Sequence, residues 1–178
     1  MVSNAGRMDD LEARVWRDMA TVLELLPAAL DAQLQRDAGI THFEFVVLSA
    51  LQLEAHPTIR AKELAAATNA TLARLSHVLA RLEARGLVER SPCPEDRRAT
   101  NVALTSEGRR VLIHALPGHF ETVRALVLDP PRRDGLAALA AGLERIAAGL
   151  DPDDRFLRVG AHDRDAVADD SSGATSAP

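Results

Sequence analysis

The sequence predicts a mainly α fold with one small β-hairpin, in which two short helices joined by a tight turn lie between longer helices at both ends. Three observations carry this. Apolar residues recur at three- and four-residue spacing through most of residues 11–150. The run Thr68-Asn69-Ala70-Thr71 supplies turn and capping chemistry between two short helical stretches. Two extended stretches near residues 87–90 and 100–104 flank a loop that holds Pro92 and Pro94.

Over residues 11–34, Leu11, Val15, Met19, Val22, Leu26 and Leu30 line one helical face, broadened by Trp16, Leu23 and Leu34. Pro27 removes one backbone hydrogen bond, so a kink near residues 23–26 is expected rather than a break, and Gly39 ends the helix. Thr41, with Glu44 three residues on, forms a capping-box pattern for a second helix. Its inner side is read as Phe43, Val46, Val47, Ala50 and Leu51, and its stop as Pro57. Thr58 is expected to cap a short third helix reaching Ala66, and the fourth helix follows from Leu72. There Leu75, Val78 or Leu79, and Leu82 face inward, and Gly86 after Arg85 suits a left-handed terminus.

The hairpin comes next, with Val102 and Leu104 sharing a face. Thr105 opens a fifth helix with Leu112, Leu116, Phe120, Val123 and Val127 inward, interrupted by Pro117 and Gly118 and ended by Pro130-Pro131. A last helix over residues 134–149 places Leu136, Leu139, Leu143, Ile146 and Leu150 near heptad spacing. Beyond Asp151 the chain is acidic and rich in Ser, Gly and Ala, so a disordered tail is expected over residues 151–178.

Composition narrows the function classes. The 178 residues allow one domain with extensions but not two enzyme domains. Aromatics make up only 3%, so the core must be aliphatic. Cys93 is the only cysteine, which excludes an intrachain disulfide and an all-Cys metal site. Neither a signal-peptide pattern nor an apolar run of about 18 residues is seen, so a cytoplasmic protein with no membrane partner is expected. The net charge of −5 argues against a polyanionic partner, yet residues 58–110 alone carry 10 basic and 6 acidic residues. One lysine against 20 arginines suggests a compositional bias, which weakens each arginine as a functional indicator.

The stretch ELAAATNATLARLSHVLARLEARG, then LEARGLVER and PEDRRATNVALTSEG, resembles the winged helix-turn-helix of the MarR (multiple antibiotic resistance regulator) family. The resemblance is close over residues 41–108, and outside them only the helix order agrees. It implies a homodimeric transcription factor that binds double-stranded DNA, expected to act as a repressor, and released in many members by a small molecule or oxidant. Under that reading residues 1–40 and 109–150 dimerise and residues 41–108 bind DNA.

The residues support the same chemistry. A helix of this width enters a major groove and offers its N-terminal turns to base edges. Thr71, Ala73, Arg74, Ser76 and His77 fall there, on the side opposite Leu75 and Leu79, with Arg74 the best candidate for a bidentate guanine contact. Resemblance assigns Asp96, Arg97 and Arg98 to the wing, Asp96 holding one arginine while another reaches the minor groove, whose narrowness favours an inserted guanidinium. Which arginine inserts stays open. Arg60, Lys62, Arg85 and Arg90 are candidates for phosphate contacts or plain surface charges. An effector pocket between dimerisation and reading regions would be lined by Trp16, Phe43, Val47, Leu112 and Leu116.

Competing readings are weaker. Cys93 lies in the wing, away from the first helix where the family's peroxide-sensing thiols lie, so a packed or inert thiol is expected. A zinc-responsive variant would need His42, Glu44, His114 and His119, but a five-residue separation does not put His114 and His119 on one helix face. No Gly-rich phosphate loop, nucleophile elbow or HExxH helix is present, so neither an enzyme nor a metal or cofactor site is expected. The remaining alternative is a winged-helix protein-interaction module without DNA affinity, consistent with the acidic total.

Overall fold

The computed structural model describes residues 7–54, 58–94, 96, 99–153 and 155–156. Helix α1 (Asp10–Ala38) starts at Asp9, whose carboxylate accepts from the Leu11 and Glu12 N–H groups while Glu12 reciprocates. It runs through Pro27 as one helix and ends at Gly39, where φ of 63° costs a residue without Cβ little. Only its C-terminal end is buried, through Leu30, Gln33 and Leu34. Leu11, Val15, Trp16, Leu23 and Leu25 remain exposed.

The expected capping box opens α2 (His42–Leu53): the Thr41 hydroxyl accepts from the Glu44 N–H and the Glu44 carboxylate from the Thr41 N–H. Its inner side differs from the sequence reading. Phe45 and Leu48 are buried with Val47, Ala50 and Leu51, whereas Phe43 and Val46 are half-buried. The helix is enclosed by α1, the later fifth helix, the third helix and the sheet, so a broad arc is covered rather than one stripe. It ends at Leu53, and Pro57 lies outside the described residues.

Thr58 does not cap a helix. Ile59–Arg60 forms β1, with β-branched Ile59 buried and Arg60 exposed, the alternation a strand imposes. Helix α3 (Ala61–Ala67) then starts from Arg60 without a side-chain cap. Helix α4 (Leu72–Ala84) starts at Thr71, whose hydroxyl accepts from the Arg74 N–H. Strands β2 (Val88–Pro92) and β3 (Thr100–Leu104) pair antiparallel with Arg90 opposite Val102. Because Ile59 also pairs opposite Val102, the expected hairpin is a three-stranded sheet of order β1-β3-β2.

Helix α5 (Ser106–Val123) is capped by Thr105 and continues as a π-helical segment (Arg124–Leu128) before α6 (Arg132–Leu150). Pro117 and Gly118 do not interrupt it. Its inward residues are Gly108, Leu112, Ala115 and His119, while Phe120, expected inward, is exposed. The buried spacing of four, three and four residues traces one face, against Leu87 and Leu104 at Gly108 and against α1 and α2 farther along, and Gly118 allows Asp37 and Gln33 to approach. Residues Ser106–Leu128 are long and apolar enough to cross a membrane by length and composition, which a search for an uninterrupted apolar run does not reveal. No residue of α6 is buried, and the chain beyond Phe156, including most of the expected tail, lies outside the described residues.

Candidate nucleic-acid interface

Burial of Leu75, Val78, Leu79 and Leu82 sets the rotation of α4. Each such side chain contributes about 1.5–3 kcal/mol relative to exposure, and the four together outweigh the contacts made on the exposed side of the helix. The opposite side is therefore presented outward: Thr71, Ala73, Arg74, Ser76 and His77 are all exposed. Thr71 is the N-cap, so these residues occupy the N-terminal turns where amide groups also point outward.

Ser76 borders a cavity of about 540 Å³ between α4 and the wing, lined also by Arg60, Lys62, Arg90, Asp96 and Thr100. Three of the four candidate phosphate contacts thus converge on one groove beside the exposed helix face. Arg90 is already engaged by Glu83, its Nε donating to Oε2 at 2.8 Å, and this hydrogen bond holds the Glu83 carboxyl below its ordinary value. Arg85 lies apart from that groove's lining and sits 3.7 Å from Glu44 instead. Arg97 and Arg98, expected at the wing, lie outside the described residues.

The first turn of α2 joins the site in a way sequence reading missed. The Glu44 carboxylate, 3% exposed, accepts from Arg81 at 2.8 Å as well as from the Thr41 N–H. Burial alone would raise its pKa, but the Thr41 backbone and Arg81 together hold it below the ordinary value. Next to it, the Phe43 ring carries the Arg74 guanidinium 4.1 Å above its centroid. Asp31 of α1 accepts from the His42 N–H at 2.8 Å, tying this turn to the long helix. The capping box is a sequence signal for Glu44 but says nothing of a partner 37 residues away.

The other candidates are dispersed. Val47 and Leu112 are core residues, Phe43 and Leu116 are half-buried, and Trp16 is 58% exposed. A second cavity of about 550 Å³ lies instead between the α3–α4 turn and the end of α6, lined in part by Ala66, Thr71, Leu150 and Phe156. Cys93 is buried and its N–H donates to the Ala99 carbonyl at 3.0 Å. Of the four zinc candidates, Glu44 is taken by arginines, His114 is exposed, and His42 stacks on His119 with centroids 6.3 Å apart. Among the described residues no group of three or more His, Cys, Asp or Glu is placed to hold a metal ion.

An exposed N-terminal helix face, preceded by a short helix and a tight turn and flanked by a three-stranded wing, defines a winged helix-turn-helix protein. The MarR family model matches residues 40–100. Sco3205 from Streptomyces coelicolor, a MarR family transcriptional regulator solved in complex with DNA, is 38% identical with a TM-score of 0.75, over 81% of this chain and 94% of that one. AbsC, a MarR family transcriptional regulator from the same organism, is 32% identical with a TM-score of 0.74, over 82% of this chain and 98% of that one. The transcriptional repressor YetL of Bacillus subtilis (strain 168) is 33% identical over 89 residues, 50% of this chain and 53% of that protein. The match spans about half the length of such curated relatives. This chain belongs to the MarR family, and the relatives named are transcriptional regulators, not enzymes.

Proposed function

We propose that two copies of this chain bind a pseudo-palindromic operator in double-stranded DNA and repress transcription. Each places α4 in a major groove and the wing in the flanking minor groove, with half-sites about 34–36 Å apart. The observation that carries this reading is the exposed set Thr71, Ala73, Arg74, Ser76 and His77 beside a groove lined by Arg60, Lys62 and Arg90. Base edges would meet the first set and a phosphate strand the second. Repression is favoured because YetL and NicR of Pseudomonas putida, 33% and 38% identical over their matched stretches, are named repressors.

Pairing is supported by the apolar residues that one chain leaves uncovered, among them Leu11, Val15, Trp16, Phe120, Leu143 and Ile146. Helices so amphipathic are marginal alone in water, and a second copy would cover them. Residues 1–40 and 109–150 are accordingly assigned to dimerisation and 41–108 to reading. A small-molecule effector would act where α2 meets α1 and α5, because a shift there would change the spacing of the two readers.

Selection of bound fragments from genomic DNA, followed by a salt titration, tests the reading. Affinity is expected to fall steeply with salt through counterion release, and Arg74→Ala to relax base preference. Paired substitution of Arg97 and Arg98 by Ala should weaken binding to all sequences. Binding that is absent at low salt, or insensitive to it, would overturn the proposal and favour a protein-interaction module.

A further inference from the structure

We infer that Phe43 is a positioning residue for base recognition: its ring is the platform that holds the Arg74 guanidinium ready for its base, so the first turn of α2 helps set what α4 reads. This rests on the reading of Arg74 as a base-contacting residue. Arg74 is exposed on its own helix, and a long side chain there would otherwise sample many rotamers. Instead its Cζ lies 4.1 Å over the Phe43 centroid. A guanidinium held over a ring face gives up none of its N–H donors to a hydrogen-bond acceptor, so they stay available for the bidentate contact that guanine offers.

The neighbouring arginines make the contrast. Arg74, Arg81 and the C-cap residue Arg85 are seven and four residues apart, along one side of α4 and its end, and all three contact the first turn of α2. Arg81 donates to Glu44 at 2.8 Å and Arg85 lies 3.7 Å from the same carboxylate. Both charges are met by that anion, and Arg81 spends a donor on it. At Arg74 the same turn offers a ring rather than a carboxylate. The support is also rigid: Phe43 sits between His42, whose N–H is held by Asp31, and Glu44, which closes the capping box.

The test uses the full chain and a DNA fragment it selects, with single base-pair changes across the half-site. For Arg74→Ala, discrimination is expected to fall at one position per half-site. Phe43→Leu should lower it at that same position by about two- to fivefold, the range of a cation–π contact, with the salt slope unchanged. Phe43→Tyr should restore it. In the free protein, ring current should shift the Arg74 side-chain NMR resonances upfield in the wild type and in Phe43→Tyr but not in Phe43→Leu. Phe43→Met serves the same comparison if Leu disturbs the helix start, as judged by thermal unfolding. An effective Arg74→Ala combined with wild-type discrimination in Phe43→Leu, or with a loss equal for every sequence, overturns the platform and leaves the reading of Arg74 standing. An Arg74→Ala protein with unchanged base preference overturns both.

Discussion

The buried Glu44 carboxylate accepts a 2.8 Å hydrogen bond from Arg81 while the start of its own helix depends on that same side chain. One residue therefore both caps α2 and docks α4 against it. Glu44→Ala should cost about 2–3 kcal/mol, because a charged hydrogen bond and a cap are lost together. Glu44→Gln, which can still accept from the Thr41 N–H, should cost about 1 kcal/mol. Its folded pKa lies below 4.5, so this contribution is present above about pH 4.5 and is lost as pH falls through the lowered value. Urea unfolding at pH 7 and pH 4 measures both, and an Ala variant as stable as wild type would contradict the assignment.

A Cβ at Gly108 would stand 2.0 Å from the Leu87 carbonyl oxygen and 2.8 Å from the Leu104 side chain. The obstruction is backbone, which cannot rotate away. Gly108→Ala should therefore destabilise by about 3 kcal/mol despite alanine's better helix propensity. Thermal unfolding decides it, since propensity alone would make the variant more stable.

His42 and His119 stack at the joint of α2 and α5, and His119 also packs on Phe45 at 4.3 Å. Burial lowers both pKa values from 6.5; for His119 the neighbouring His42 adds to the shift, while Asp31 partly opposes it at His42. The folded chain thus favours the neutral rings. Their contribution is full above about pH 6.5 and is lost as pH falls through the lowered values. Melting temperature should hold steady from pH 8 to about 7 and drop below about 6, and His119→Phe should flatten that drop. A melting temperature that rises on acidification would have the wrong sign.

Trp16 is the sole tryptophan and is 58% exposed in one chain. If two copies associate through α1, its fluorescence should be blue-shifted in the dimer and move red on dilution. Leu11→Asp combined with Val15→Asp should produce a monomer by sedimentation, with DNA affinity reduced by at least about tenfold because the second half-site is lost. A wild-type chain that sediments as a monomer at micromolar concentration would count against pairing.

Much of the reading helix was legible because its signals are local. Thr71 as cap, Leu75, Leu79 and Leu82 as the inner face and Gly86 as terminator each follow from a few consecutive residues. Thr58 misled because a two-residue strand has almost no local signature, and Ile59 becomes one only through Val102 of the wing. Phe120 misled because helical periodicity shows that a stripe exists but not which edge of it a neighbouring helix will cover.

The chain alone determines the capped starts of α2, α4 and α5 at Thr41, Thr71 and Thr105, which face of α4 is polar and where its positive charge is concentrated, since caps, periodicity and composition act within a few residues. Only the tertiary structure decided that Arg60, Lys62 and Arg90 share a groove, that Arg81 and Arg85 are turned to Glu44, and that Phe43 underlies Arg74. Those pairings join residues far apart along the chain, and they form because burial of the aliphatic core brings α2, α4 and the sheet together.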